Sequence, residues 1–122
     1  MIYEYTLPGI PPSLNQYLGQ NRRFKYEAKK KEWAKIIKYS CLKKPLKPIK
    51  HSRITITYHF PDNRRRDPDN YAGKFLLDGL RDAGIIEDDS FWNVDLHPKA
   101  TFGNGKANQR TVILIEELEE NG

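Results

Sequence analysis

One segment near the middle of the chain alternates apolar and polar side chains without interruption. Between residues 52 and 60, every second position carries a bulky apolar residue: Ile54, Ile56, Tyr58 and Phe60. Successive side chains of a strand point to opposite faces, so this pattern predicts a strand with one buried face. The chain is therefore expected to fold around a β-sheet.

Three further segments have strand patterns, and one segment is predicted as a loop. Residues 2–7 alternate, and residues 93–101 and 110–116 are predicted as two strands joined by a hairpin through the glycine-rich turn at residues 103–105. Residues 8–23 contain three prolines and two glycines, which argue against regular structure. A loop of this length in a small domain is often functional.

Two segments are predicted as helices. Between residues 24 and 44, apolar residues recur at three- and four-residue spacing, and Pro45 should end this helix. The second helix is predicted over residues 67–83, where Asp67 is a plausible N-cap and Pro68 fits the first helical position.

The predicted elements follow the order β–α–β–α–β–β, with no linker or internal repeat. This order predicts a single α+β domain over residues 1–122, in which a mixed sheet of about four strands carries two main helices. A chain of 122 residues is long enough for one hydrophobic core and too short for two.

The sequence also indicates where the protein is expected to work. No stretch approaches about 18 uninterrupted apolar residues, so no membrane span is expected. The first residues lack the charged and apolar regions of a secretory signal. The single cysteine, Cys41, cannot form an internal disulfide, so a reducing cytoplasm is the expected location.

The charges are distributed unevenly along the chain. Residues 1–66 contain 16 Lys and Arg against 4 Asp and Glu, whereas residues 67–122 contain 5 against 12. The net charge of +5 therefore conceals a basic first half and an acidic second half. A basic surface suits polyanions such as nucleic acid, although a solvated lysine-rich helix with no partner would have the same composition.

The acidic residues that carry chemistry follow a run of arginines. Asp67 and Asp69 lie at a predicted loop-to-helix junction, directly after three arginines, and both features favour ionised carboxylates. Lys74 would lie about two helical turns after Asp67, on nearly the same face. The acidic triplet at residues 87–89 can come close to the helix start only if the chain runs back along the helix.

Convergent carboxylates beside a basic patch favour a hard divalent cation. Mg²⁺ binds one or two carboxylates and uses phosphate oxygens as further ligands, which is the chemistry of a phosphodiesterase. The two acidic segments could also be a plain helix start and a polar turn. An EF-hand is excluded because its sixth position, counted from Asp67, is Ala72 rather than glycine, and the histidines and Cys41 lack zinc-ligand spacing.

The same residues resemble the RusA family of Holliday-junction resolvases. The resemblance rests on Arg-Arg-Arg-Asp-Pro-Asp-Asn from position 64, Lys74, Leu-Asp-Gly-Leu from 77, Ala-Gly from 83, Glu-Asp-Asp from 87, and Pro-Pro-Ser-Leu-Asn from 11. It covers nearly the whole chain. Pro68 departs from the family, which usually has an aliphatic residue there, but proline suits a helix start.

The resemblance implies a metal site and an assembly. Three aspartates that bind Mg²⁺, with Mn²⁺ as a substitute, would be Asp67, Asp69 and Asp89, with Asp88 as the weaker choice within its pair. Lys74 would assist by stabilising charge in the transition state. The family implies a symmetric homodimer that nicks opposite strands of a four-way DNA junction, with no small-molecule cofactor.

Two alternatives to a junction-cutting enzyme stay open. The chain could be a catalytically inactive, basic nucleic-acid-binding module, or a metal-dependent nuclease for RNA or other branched substrates. The acids favour an enzyme, because carboxylates repel phosphate unless a cation bridges them. The residues predicted to contact DNA are Asn15, Arg22, Arg23, Arg64, Arg65 and Arg66, and phosphate contacts of this kind position DNA without reading its sequence.

Overall fold

A computed structural model of the chain describes residues 1–17 and 22–119. Its helices and strands are β1 (Ile2–Pro8), α1 (Arg23–Ser40), β2 (Ser52–Phe60), α2 (Lys74–Asp82), β3 (Val94–Phe102) and β4 (Arg110–Glu117). Short 3₁₀ turns lie at Leu14–Tyr17, Pro68–Tyr71 and Lys106–Asn108. The predicted α+β class, with a four-stranded sheet and two helices, is confirmed.

The sheet is mixed, with the strand order β1-β4-β2-β3. Strand β4 is antiparallel to both β1 and β2, whereas β3 is parallel to β2. The predicted hairpin between the last two strands is therefore wrong, because β2 lies between them. The glycine-rich segment passes around the end of β2: the N–H of Gly103 donates to the carbonyl of Phe60 at 3.1 Å, and that of Gly105 donates to Pro61 at 3.0 Å.

The alternating face of β2 is buried as the sequence predicts. All four apolar side chains of β2 lie in the core, together with residues of the neighbouring strand and of both helices: Ile113, Ile115, Trp33, Ile37, Phe75, Leu76 and Leu80. The two helices approach closely at Gly79, where an added Cβ would lie 2.5 Å from Cδ1 of Ile37. This contact holds α2 against α1, which positions the charged residues of α2 described below.

The first helix ends earlier than the sequence predicts. It was predicted to continue to residue 44, but α1 ends at Ser40, and the N–H of Cys41 closes it by donating to the carbonyl of Ile37 at 2.8 Å. The carbonyl of Lys43 instead accepts a 2.6 Å hydrogen bond from the Tyr5 hydroxyl. The chain thus leaves the helix to pack beside the sheet before Pro45 could stop it.

The second predicted helix is two elements. Asp67 precedes the 3₁₀ turn Pro68–Tyr71 in an extended conformation and makes no side-chain capping hydrogen bond. The chain breaks at Gly73, which has φ +89°, and α2 begins at Lys74. An added Cβ at Gly73 would lie 2.6 Å from Cδ1 of Ile56, so the backbone there presses against the sheet. Lys74 is therefore not two turns along the same helix from Asp67.

Candidate active site

The first two predicted acids lie at the surface, around the Pro68–Tyr71 turn. The side chain of Asp67 is half exposed, and its Oδ1 accepts a 3.2 Å hydrogen bond from Nε of Arg65. Asp69 lies in the turn itself and is exposed. Both carboxylates are therefore accessible to a ligand from solvent.

The predicted lysine lies one helical turn from a buried acid. Nζ of Lys74, the first residue of α2, is 3.9 Å from Oδ2 of Asp78. The Asp78 side chain is only 5% exposed, and its Oδ2 has no hydrogen-bond partner within the described residues. Two further cations approach this carboxylate: Nζ of Lys30 lies 3.8 Å from Oδ2, and Nη2 of Arg81 lies 3.7 Å from Oδ1.

The acidic triplet lies alongside α2. Nη1 of Arg81 is 3.5 Å from Oδ1 of Asp89 and 3.8 Å from Oδ1 of Asp88. The N–H of Asp89 donates to Oδ1 of Asp88 at 2.8 Å, which turns the two carboxylates differently. Asp89 also lines a surface cavity with Leu77, in the middle of α2. One guanidinium thus links the helix to the segment that carries the predicted ligand.

The structure does not gather the three predicted metal ligands into one cluster. Among residues 1–17 and 22–119, no group of three or more Asp, Glu, His or Cys side chains is arranged to hold a metal ion. The donor chemistry suits Mg²⁺ even so, because this ion needs only one or two carboxylates and takes phosphate and water as its other ligands. The ligand set Asp67, Asp69 and Asp89 stays a prediction.

The three consecutive arginines differ in their surroundings. Arg64 and Arg65 are strongly exposed, whereas the side chain of Arg66 is 13% exposed and stacks over the ring of Phe60 at 4.3 Å. Asp62 holds two of them, with Oδ1 2.9 Å from Nη2 of Arg66 and Oδ2 3.3 Å from Nη2 of Arg64. The backbone N–H of Arg64, and then its side chain, lower the pKa of Asp62 to about 2. Arg66 is thus a fixed cation, whereas Arg64 and Arg65 are exposed to solvent although each is paired with an aspartate.

The remaining predicted DNA contacts lie near the start of α1 and in the loop before it. Arg22 and Arg23 are exposed at the N-terminal end of α1, whose first turn carries no acidic residue. Asn15 is exposed in the Leu14–Tyr17 turn, and its Oδ1 accepts a 2.8 Å hydrogen bond from the Ser13 hydroxyl. The positive end of the helix dipole therefore adds to the positive potential of two arginines.

A basic cavity joins two of the predicted contact regions. It has a volume of about 490 Å³ and lies between residues 10–13, Arg64, Arg66 and Lys106. Lys106 reaches it from the 3₁₀ turn that follows β3. The crossover around the end of β2 brings this lysine to the same cavity as Arg64 and Arg66.

Known proteins with similar sequences were compared with this chain. No family model matches it. The crossover junction endodeoxyribonuclease rusA of Enterobacteria phage 82 is 42% identical over 94 residues, which cover 72% of this chain and 74% of the relative. The enzyme of the same name from Enterobacteria phage HK97 is 39% identical over 92 residues, covering 71% and 73%. This chain belongs to the RusA family. The RusA enzyme of Escherichia coli K12, 40% identical over 94 residues with 72% and 74% covered, agrees with this assignment.

The structure links two of the four residues that the RusA resemblance predicted for the active site. Lys74 and Asp89 belong to one charge network, which runs through Asp78 and Arg81. In the sequence, Asp78 belongs to the Leu-Asp-Gly-Leu motif without a predicted role, and Arg81 is not singled out. The spacing from Lys74 to Asp78, four residues, and from Asp78 to Arg81, three residues, is the signal that would have found this network.

Proposed function

We propose that this chain is a crossover junction endodeoxyribonuclease, a hydrolase that cuts phosphodiester bonds in four-way DNA junctions. The observation that carries the proposal is the identity of about 40% to RusA enzymes over nearly three quarters of both chains. The network that joins Lys74 to Asp89 supports it, because the structure links two residues that the sequence resemblance predicts to be catalytic.

The proposed metal ligands are Asp67, Asp69 and Asp89, holding Mg²⁺ or Mn²⁺ together with phosphate oxygens of the DNA. When bound, the cation supplies an acidified water and stabilises the leaving oxygen. Asp67 must exchange its hydrogen bond from Arg65 for a bound cation, whereas Asp89 can keep its Oδ1 beside Arg81 and offer its other oxygen. Both acids are partly exposed, so binding a cation does not require the core to open.

Lys74 is proposed to stabilise the negative charge that develops on the phosphate. Its side chain is 55% exposed at the start of α2, and the buried carboxylate of Asp78 lies one helical turn further along the chain. A fixed ammonium aimed at the reacting phosphate lowers the barrier because it needs no reorganisation during the reaction. Lys74 would therefore act on charge and would not exchange a proton.

The proposed DNA contacts are the exposed cations of the basic half. The side chains exposed at the surface are those of Arg22, Arg23, Arg64 and Arg65. The basic cavity is lined by Arg66 and Lys106. Contacts from such residues to phosphate orient the duplex arms without selecting a sequence. Arg66 is buried against Phe60 and held by Asp62, so it contributes a fixed charge.

A homodimer is the proposed working form. A four-way junction has two equivalent strands to cut, and a two-fold symmetric protein matches that symmetry. The edge strand β3 and the segment before it expose the large apolar side chains of Phe91, Trp92 and Phe102, which favour a surface covered by a second copy. Sedimentation across a range of protein concentrations tests this, and a 14.3 kDa species that still cuts junctions would contradict it.

The experiment that tests the function uses a synthetic four-way junction with each strand labelled in turn. Paired nicks at symmetric positions are expected with Mg²⁺ and no cleavage with EDTA. The control is a linear duplex with the sequence of two joined arms, which should remain intact. Binding without cutting in Mg²⁺ and in Mn²⁺ would favour the inactive module, and faster cutting of RNA or of a flap would favour the other nuclease.

In the described part of the chain, no helix is long and apolar enough to cross a membrane.

A further inference from the structure

Asp78 is a buried carboxylate, and one of its two oxygens lacks a hydrogen bond from the described residues. Its Oδ2 is enclosed and has no donor within hydrogen-bonding distance among the described residues. Three cations surround it at 3.7–3.9 Å, from Lys30 of α1 and from Lys74 and Arg81 of α2. A buried charge that pairs by attraction alone is costly, and a fold often loses no stability when a whole buried ion pair is replaced by well-packed apolar residues. Its presence therefore needs a reason beyond packing.

The three cations are not buried with it. Their side chains are 34%, 55% and 39% exposed for Lys30, Lys74 and Arg81, so each keeps much of its own hydration. Their flexible side chains would move through solvent if nothing held their charged ends. The buried carboxylate of Asp78 attracts the charged ends of all three side chains to one place.

Arg81 also contacts the segment that carries the predicted metal ligand Asp89. Its Nη2 faces Asp78 while its Nη1 faces Asp89 and Asp88. The guanidinium is planar and its donors have a fixed geometry, so orienting one side of the group orients the other. The position of Asp89 is thus tied to that of Asp78 through a rigid group.

We propose that Asp78 is a positioning residue that holds Lys74 and Arg81 in the active site and, through Arg81, holds Asp89. The inference rests on the proposed function, in which Lys74 and Asp89 act on the DNA. Asp78 itself touches neither metal nor DNA in this proposal. It fixes the position of the Lys74 ammonium relative to the acidic triplet at residues 87–89.

Tyr26 reports on the same charge from the side of α1. Its hydroxyl is buried without a hydrogen-bond partner among the described residues. Burial and, second, the charge of Asp78 raise the pKa of this phenol, and Lys30 lowers it. The tyrosine therefore provides a spectroscopic probe of the Asp78 charge that needs no DNA.

The first test compares Asp78→Asn with Asp82→Asn. Both changes remove one carboxylate from α2 while keeping its shape, but Asp82 is exposed, and within the described residues its ion-pair partner is Arg81, at 4.0 Å. Displacement of reacting groups by about 1 Å costs on the order of 100-fold in rate. Asp78→Asn should therefore lower the single-turnover rate of junction cleavage about 100-fold, with junction affinity in EDTA and thermal stability near those of the parent. Asp82→Asn should cut at the parental rate.

Two results with Asp78→Asn would overturn the proposal. One is a parental cleavage rate, and the other is a joint loss of cleavage, junction binding and thermal stability, which would make the residue merely structural. Should this variant not fold, Arg81→Gln decides instead, with Arg53→Gln, another half-exposed arginine in an ion pair, as its control. Loss of cleavage with retained binding in Arg81→Gln supports the link, and a parental rate overturns it.

A second set of measurements separates this proposal from the function on which it rests. If the parent does not cut junctions, the proposed function fails, and the network is judged without DNA. Asp78→Asn should then lower the pKa of Tyr26, followed by NMR with Tyr26→Phe for assignment, and Asp82→Asn should leave it unchanged. Arg81→Gln should also change the free energy of unfolding by a different amount in the Asp78→Asn background than in the parent, because the two residues are in contact. An unmoved tyrosine pKa together with equal effects of Arg81→Gln in both backgrounds would overturn the proposal.

Discussion

Replacing Gly73 by alanine should destabilise the protein more than the same change at any of its open glycine turns. Gly73 has φ +89°, a backbone conformation that an L-residue adopts at a cost of about 1–2 kcal/mol. Its Cβ would also lie 2.6 Å from Cδ1 of Ile56, which forces a shift in a packed core. Overpacking of this kind costs about 1–3 kcal/mol, so the free energy of unfolding should fall by about 2–5 kcal/mol.

Gly84 is the matched control. It has φ +77°, and an added Cβ would meet no atom within 4 Å. Gly84→Ala should therefore cost only the backbone term, about 1–2 kcal/mol. The difference between the two variants in urea unfolding measures the close approach of the chain to the sheet at residue 73.

A double variant tests the contact atom itself. Ile56→Val deletes the Cδ1 methyl group and alone should cost about 0.5–1.5 kcal/mol. In the Gly73→Ala background the same deletion makes room for the new Cβ, so its cost should vanish or reverse. Equal costs for Gly73→Ala and Gly84→Ala, or strict additivity with Ile56→Val, would refute the argument that Ile56 enforces the break before α2.

Three further predictions concern the site. Asp69→Asn should lower junction cleavage by orders of magnitude while junction affinity in EDTA holds or rises, since a proposed metal ligand and a charge that repels phosphate are both lost; gel assays of rate and affinity on one preparation check this, and an unchanged rate would remove Asp69 from the site. Neutralising Arg64 and Arg65 together should lower the slope of log K against log[salt] by about 2 if each contacts one phosphate; an unchanged slope excludes them as contacts. The pKa of Asp62 is lowered from 3.8 to about 2, so its carboxylate stabilises the folded state above its ordinary pKa, and this contribution is lost as the pH falls toward about 2; urea unfolding should show the stability gap between parent and Asp62→Asn closing over that range, and a constant gap would contradict the assigned contacts.

The residue pattern predicts which residues form the site, and those assignments stay predictions. Residues 64–70 and Lys74 lie close in sequence, on one loop and the helix after it, whereas residues 87–89 come after that helix. The helical spacing drawn from Asp67 to Lys74 was wrong, since Gly73 interrupts the chain between them. Helical spacing could have linked Lys74, Asp78 and Arg81, but the contact from Arg81 to Asp89 depends on how the segment after α2 packs against the helix.

Local periodicity by itself determined the strands. The alternating residues 2–7 and 52–60 appear as Ile2–Pro8 and Ser52–Phe60, because a period of two is a property of the strand backbone and needs no distant partner. The tertiary structure alone decided that β2 separates β3 from β4, since the same glycine-rich turn permits a hairpin or a crossover until hydrogen bonds to Phe60 and Pro61 select one. It also decided the break at residue 73, because glycine accepts either a helical or a left-handed backbone and the contact with Ile56 lies 17 positions away in sequence.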